Sequence, residues 1–244
     1  MLFQFIAQLA ALTLVLACSQ SSPTLTKPVA ATSPMLTKPV TSTATYSFLS
    51  LGDSYTIGES VDVADRWSVQ LAGMLRQDNI NVANPDIIAR TGWTTAELQD
   101  AIKAADNTKT YDLVSLLIGV NNQYRGQSVD RYRTEFRNLL QTAIRFAGNR
   151  PARVVVLSIP DWGKSPYANG RNQDQVAREI DAFNTVAQEE CDKAGITFVD
   201  ITPLTRQAAG DAGQFANDGL HYSGRQMKQW AEKARPTVET LLKR

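Results

Sequence analysis

The sequence has very few of the residues that metal sites and disulfide-rich folds require. Its 244 residues include two cysteines and one histidine. That set cannot build a Cys/His zinc cluster, so we predict no metal site. Two cysteines also exclude a disulfide-dense fold. The single histidine, His221, is therefore the one candidate for any reaction that needs an imidazole.

An excess of charge of one sign is also lacking. Lys and Arg number 25 against 24 Asp and Glu, which gives a formal net charge of +1. Because nucleic-acid-binding surfaces need a basic excess, we expect no nucleic-acid partner. The hydrophobic fraction of 43% is typical of a globular protein, and the chain is long enough for a sizeable core.

The N-terminus begins with an apolar run, residues 2–17, that contains no charged residue. The run is shorter than the roughly 20 residues of a comfortable membrane span, and residues 1–17 are therefore predicted to be a signal peptide of an exported protein. Its end, Leu16-Ala17-Cys18-Ser19, resembles the lipobox of bacterial lipoproteins. The resemblance implies lipidation of Cys18 and a lipid anchor in the bacterial cell envelope. A plain signal peptide of a secreted or periplasmic protein, or a short N-terminal anchor, is the alternative.

Residues 18–45 are rich in Ser, Thr and Pro, and Leu-Thr-Lys-Pro-Val occurs twice, from Leu25 and from Leu36. Proline disfavours regular structure, and little apolar material is available to bury. We expect a disordered tether, or a leader without function. The second cysteine, Cys191, lies at helical spacing from Ile180 and Ala187, which predicts a buried small side chain.

Residues 46–244 alternate between apolar runs and helical periodicity, and are predicted to be one catalytic domain. The predicted strands are Tyr46–Leu51, Asp86–Ala89, Leu113–Ile118, Val154–Ile159 and Ile196–Val199. The predicted helices are Trp67–Leu75, one from Thr94, Val129–Phe146, Gln173–Ala194 and Ser223–Leu242. Pro236 is expected to kink or end the last helix. Strands separated by helices predict an α/β fold: a three-layer α/β/α sandwich with a five-stranded parallel sheet, flavodoxin-like in kind.

Polar or glycine-containing loops follow the predicted strands, at the edge where parallel sheets collect their chemistry. Ser54 follows the first strand and can be a nucleophile, and His221 can be the base that takes its proton. Asp218 precedes His221 by three residues and can orient it. Gly92 offers an unobstructed backbone N–H, and Asn121 offers a side-chain amide, as donors to an oxyanion.

Other residues near these loops have two interpretations each. Asp161 is a rival for orienting His221, whereas Asp53 is predicted to be a hydrogen-bonding loop residue. Trp93 and Trp162 could form a substrate wall or simply pack against the sheet, and the same holds for two tyrosines, Tyr55 and Tyr124. Four arginines are predicted to form a solvated helix face, with attraction of an anionic substrate as the alternative: Arg125, Arg131, Arg133 and Arg137.

Four short blocks resemble those of the SGNH/GDSL hydrolase superfamily. They are Gly52-Asp53-Ser54-Tyr55, Gly92, Gly119-Val120-Asn121-Asn122 and Asp218-Gly219-Leu220-His221. The resemblance implies Ser54 as nucleophile and an Asp218–His221 pair as base. It implies an oxyanion hole of the Ser54 N–H, the Gly92 N–H and the Asn121 side chain, and no metal or organic cofactor. The third block departs from the usual Gly-x-Asn-Asp, because Asn122 stands in place of the aspartate.

The expected function is a serine esterase that hydrolyses carboxylic esters or thioesters through an acyl-enzyme. The resemblance and the membrane address favour a lipolytic, lysophospholipase-like enzyme acting on a small-molecule or lipid ester. A carbohydrate O-deacetylase acting on polysaccharide is the alternative within that class. A non-catalytic binding lipoprotein is the alternative from another class, since a fold by itself does not dictate function.

Overall fold

The computed structural model describes residues 45–243. The predicted signal peptide, Cys18 and all but the last residue of the predicted tether lie outside the described residues. Within residues 45–243, no helix has the length and apolar character needed to cross a membrane.

A parallel five-stranded sheet forms the centre of the domain, in the spatial order β2-β1-β3-β4-β5. Its strands are β1 (Phe48–Gly52), β2 (Asp86–Ala89), β3 (Leu113–Leu117), β4 (Val154–Leu157) and β5 (Thr197–Val199). The three central strands are buried along their whole length, as expected for a sheet covered on both faces. The predicted first strand is too long at its start, because Tyr46 forms only an isolated bridge, to Val82.

Eight α-helices connect and cover these strands within the described part of the chain. They are α1 (Ser54–Ile57), α2 (Trp67–Gln77), α3 (Thr95–Ala104), α4 (Val120–Tyr124), α5 (Val129–Phe146), α6 (Gln173–Ala194), α7 (Thr202–Gln207) and α8 (Gly224–Lys243). Right-handed crossovers place α2 on one face of the sheet and α3, α5 and α6 on the other, since the strand order reverses direction at β1. The last helix, α8, packs beside α2. The three-layer α/β/α prediction is confirmed.

Pro236 does not end α8, which continues to Lys243. Proline removes one backbone hydrogen bond from a helix interior, so continuation needs compensation from packing. Val238, Leu241 and Leu242 supply it, because each is at most 3% exposed and belongs to the core. The sequence predicts that Pro236 kinks or ends the helix. An end at that position is wrong.

Two arginines of α5, Arg131 and Arg137, are solvent-exposed, as the sequence predicts, but the arginines of this helix also form ion pairs. The Arg133 and Arg137 guanidinium groups pair with Glu190 of α6, at 3.0 and 2.7 Å. The Glu190 side chain is 2% exposed, and hydrogen bonds led by the one from Arg137 lower its pKa to about 2. Arg131 pairs within its own helix with Glu135. Arg133 and Arg137 therefore join α5 to α6.

Candidate active site

An open cavity of about 170 Å³ lies at the carboxyl edge of the sheet. It is next to β1 and β3, where the strand order changes direction and where ligand sites of such sheets occur. Its walls include five residues that the sequence singles out: Ser54, Gly92, Asn121, Trp162 and His221. Ser54 and the protein's single histidine therefore line the same cavity, although 167 positions separate them.

Ser54 is the first residue of α1, directly after the turn that ends β1. The Asp53 side chain caps this short helix by accepting from the Tyr55 N–H at 3.0 Å. As the first helical residue, Ser54 has a backbone N–H with no acceptor inside the helix. The side chain and the N–H of one residue are thus both placed at the cavity edge.

Asp53 itself is fully buried, and its Oδ2 has no hydrogen-bond partner. Burial raises the pKa of Asp53 to about 7, although the N–H groups of Tyr55 and Gly119 act in the opposite direction. The carboxyl caps α1, which confirms that it is a hydrogen-bonding loop residue.

His221 is held by Asp218 in a tight local loop. Its Nδ1 lies 2.7 Å from Asp218 Oδ2, and its backbone N–H donates to Asp218 Oδ1 at 2.9 Å. Because a carboxylate only accepts, Nδ1 carries a proton, so in the neutral ring the free lone pair is on Nε2. The Tyr55 ring packs edge-on against the imidazole, with the ring centroids 5.7 Å apart. This is the arrangement a general base requires.

Ser60 adds a contact to this pair that the sequence does not signal. Its hydroxyl donates to Asp218 Oδ2 at 2.7 Å, the oxygen that faces His221. Its backbone is in the left-handed region, with φ of 63°. Burial alone would raise the pKa of Asp218, but hydrogen bonds from Ser60, His221 and the Leu220 N–H hold the pKa well below its usual range.

Asp161 does not orient His221. Its side chain is buried, with Oδ1 accepting from the Gly163 N–H and Oδ2 accepting from Arg206 at 2.8 Å. Asp161 therefore stabilises the loop after β4, and the structure excludes it as the rival partner of the imidazole.

Gly92 lies on a loop with φ of +86°, a conformation that favours glycine. Its carbonyl accepts from the Arg125 guanidinium, which also pairs with Glu97 at 3.2 Å. Glu97 forms the predicted capping box with Thr94 at the start of α3. These contacts fix the loop. Because Gly92 has no side chain, nothing of its own covers its backbone N–H.

The two asparagines after β3 have different surroundings. Asn121 lines the cavity, and its Nδ2 donates to the Trp93 carbonyl at 2.9 Å, which orients the amide and leaves a second N–H. Asn122 is fully buried away from it, and its amide bonds to Thr95 and Gln127. Asn122, in place of the aspartate of the resembled family, therefore joins the turn after β3 to α3.

The four aromatic candidates also differ in whether they line the cavity. Trp162 is 4% exposed, lines the cavity, and its Nε1 donates to Gln123 at 2.8 Å. Trp93 is half-buried against the core and contributes its carbonyl to Asn121. Tyr55 and Tyr124 both line the cavity. Cys191 is buried, as expected, and burial raises the pKa of its thiol.

Comparison with protein families gives a match over residues 50–228, which span all of these site residues, to the GDSL-like Lipase/Acylhydrolase family. The chain belongs to this family. This GDSL-like chain is a hydrolase of ester bonds, and its fold is that of the SGNH hydrolases. A comparison with curated proteins returns no match.

Solved structures share the fold of this GDSL-like hydrolase at low sequence identity. TesA is 21% identical, with 81% of this chain and 99% of TesA covered and a TM-score of 0.63. The psychrotrophic esterase EstA from Pseudoalteromonas sp. is 15% identical, with 82% and 100% covered and a TM-score of 0.62. An acetylxylan esterase from Geobacillus stearothermophilus is 17% identical, with 79% and 94% covered and a TM-score of 0.61.

Proposed function

We propose that this hydrolase is a serine esterase that cleaves carboxylic esters through an acyl-enzyme at Ser54. One observation carries the proposal: Ser54 and the Asp218-bound His221 line the same cavity as Gly92 and Asn121. This set contains a nucleophile, a base, an orienting carboxylate and oxyanion donors. A binding lipoprotein without activity would need none of these in one cavity.

The proposed reaction has two halves. In the first, His221 Nε2 takes the Ser54 proton as Oγ attacks the carbonyl carbon, and N–H donors of Gly92, Asn121 and Ser54 stabilise the oxyanion. The tetrahedral species collapses, and the alcohol leaves with the proton from His221. In the second, a water loses its proton to His221 as it attacks the acyl-enzyme, which releases the acid and restores the Ser54 hydroxyl.

A fluorophosphonate probe tests the nucleophile directly. We expect the wild type to be labelled and to hydrolyse p-nitrophenyl acetate, and Ser54→Ala to do neither above background. The cavity-facing Thr91→Ala is the matched control, because it also removes one hydroxyl from the wall. Equal labelling of wild type and Ser54→Ala would remove Ser54 as nucleophile.

The size of the cavity favours a short acyl group. About 170 Å³ is below the roughly 300–1,000 Å³ of sites that enclose drug-sized ligands. This supports the O-deacetylase alternative more than a lysophospholipase, and structures titled acetylxylan esterases share the fold. Hydrolysis of acetate, butanoate and octanoate esters, acetylated xylo-oligosaccharides and lysophosphatidylcholine distinguishes the two. Faster hydrolysis of lysophosphatidylcholine than of the acetylated substrates would favour the lipolytic function.

We also propose that Cys18 carries a lipid that anchors the enzyme in the bacterial envelope. The support is the lipobox-like Leu16-Ala17-Cys18-Ser19 after an uncharged apolar run. Metabolic labelling with a fatty acid, followed by fractionation, tests this. Wild type should carry label and partition with membranes, whereas Cys18→Ser should do neither. An unlabelled wild type recovered in the soluble fraction would contradict the anchor.

A further inference from the structure

An arginine surrounded by aromatic rings lies beside the catalytic cavity. The Arg171 guanidinium carbon is 5.7, 5.4 and 5.1 Å from the ring centroids of Tyr124, Trp162 and Tyr167. We call these three rings the aromatic clamp. Two of its members, Tyr124 and Trp162, also line the cavity that contains Ser54. The rings of Tyr124 and Trp162, which form part of the cavity wall, thus lie between the Arg171 charge and the cavity.

The aromatic clamp is braced from several sides. The Tyr124 and Tyr167 hydroxyls are 2.9 Å apart, and the Tyr124 ring packs edge-on against Trp162 at 5.3 Å. The Tyr167 N–H donates to the Gly219 carbonyl at 2.9 Å, within the loop that carries Asp218. Stacking on a braced set of rings limits the positions that the guanidinium can take beside Tyr124 and Trp162.

No carboxylate of residues 45–243 neutralises the charge of Arg171. Within residues 45–243 its guanidinium has no carboxylate within ion-pair distance, and it donates to the Tyr167 hydroxyl at 3.3 Å. Arg125, which donates to the carbonyl of the cavity residue Gly92, is by contrast paired with Glu97. Because a guanidinium has five N–H donors and Arg171 is exposed, most of its donors face solvent.

We propose that Arg171, held in the aromatic clamp, binds an anionic group on the alcohol part of the ester. The inference rests on the proposed function. The cavity beside Ser54 holds only a small group, so the remainder of a substrate extends over the rim that Tyr124 and Trp162 form. A carboxylate or a phosphate there would meet a fork of donors already held in place. The ligand class is therefore an ester of an acidic alcohol, such as an acylated uronate or sugar phosphate.

Three acetate esters of similar size test the proposal: 4-acetoxybenzamide, 4-acetoxybenzoate and 4-acetoxyphenyl phosphate. Arg171→Gln should lower kcat/KM for the two anionic esters about tenfold, mainly through KM, the effect of one lost charge-assisted contact. The neutral ester should be hydrolysed at the wild-type rate, which also shows that the variant folds. For the anionic esters, the kcat/KM of Arg171→Lys should lie between the values of the wild type and of Arg171→Gln. The anionic ester whose kcat/KM falls further identifies the bound group as a carboxylate or a phosphate.

Arg153→Gln is the matched control. Arg153 also stacks on an aromatic ring, 6.0 Å from the Tyr46 centroid, but it precedes β4 at the amino edge of the sheet. Arg153→Gln removes the same charge from the protein. The ratio of kcat/KM for the anionic esters to kcat/KM for the neutral ester should therefore stay at the wild-type value. In the wild type itself, added salt should lower kcat/KM for the anionic esters alone.

An unchanged ratio in Arg171→Gln, or an equal drop in Arg153→Gln, would overturn the proposal while leaving the esterase function intact. A wild type that hydrolyses the neutral ester no faster than Ser54→Ala would instead overturn the proposed function, and this inference with it.

Discussion

Asp218 accepts four hydrogen bonds, and one of them comes from Ser60, 158 positions earlier in the chain. The other three come from within the Asp-Gly-Leu-His block and could be anticipated from its spacing. At the scale of single residues, the site therefore combines local contacts with one long-range contact. Ser60 adopts φ of 63°, which a residue with a side chain accepts only when its surroundings enforce it.

Replacement of Ser60 should weaken the orientation of the Asp218–His221 pair. We expect Ser60→Ala and Ser60→Gly to lower kcat about tenfold with KM unchanged, because a hydrogen bond to a charged group is lost. Ser60→Asn should restore part of kcat, since asparagine tolerates this backbone region and carries an N–H donor. Steady-state kinetics decide. A loss in Ala but not in Gly would assign the effect to backbone strain instead of the hydroxyl.

Asp53 should make the folded state less stable as the pH rises. Its pKa is about 7 in the folded protein and has an ordinary value of 3.8, so between these values the folded state binds the proton and the unfolded state does not. The free energy of unfolding therefore falls with rising pH across this window. Urea titrations at pH 4, 6 and 8 should show a smaller fall for Asp53→Asn than for wild type. Parallel pH dependences in the two proteins would contradict the assignment.

At the scale of elements, side-chain hydrogen bonds fix the relative positions of the segments that form the site. Asn122 of α4 bonds to Thr95 at the start of α3 and to Gln127 in the loop before α5. Glu135 of α5 approaches the same amide, with Oε2 3.5 Å from Nδ2. An aspartate at position 122 would lack a donor and would place a second carboxylate beside Glu135. This explains why asparagine suits this chain.

Asn122→Asp should lower the free energy of unfolding by about 2 kcal/mol. The buried carboxylate could not donate the hydrogen bonds of the asparagine amide, and it would face the Glu135 carboxylate. Glu135→Gln in the Asn122→Asp background should recover part of that loss. Urea denaturation of the two single variants and the double variant forms a complete cycle. Strict additivity of the two single effects would show that Asn122 and Glu135 do not interact.

At the scale of the whole molecule, the sheet order decides where the chemistry assembles. The reversal of direction at β1 leaves the ends of β1 and β3 side by side, and every wall of the cavity derives from residues 54–221. A chain that begins at residue 45 should therefore hydrolyse p-nitrophenyl acetate with the kcat/KM of the full chain. Parallel assays of both proteins check this. A fall of more than about tenfold would assign a catalytic role to residues 1–44.

The sequence by itself determined the alternation of strands and helices, the bounds of β2, α5 and α6, and the candidate residues Ser54, Asp218 and His221. Those features depend on periodicity, capping residues and short spacings, which act between near neighbours in the chain. Only the tertiary structure decided the contacts of Ser60, Asn122, Glu190 and Arg171. Each of these acts through a partner distant in sequence, and such a partner is defined only when packing of the layers brings the two side chains together.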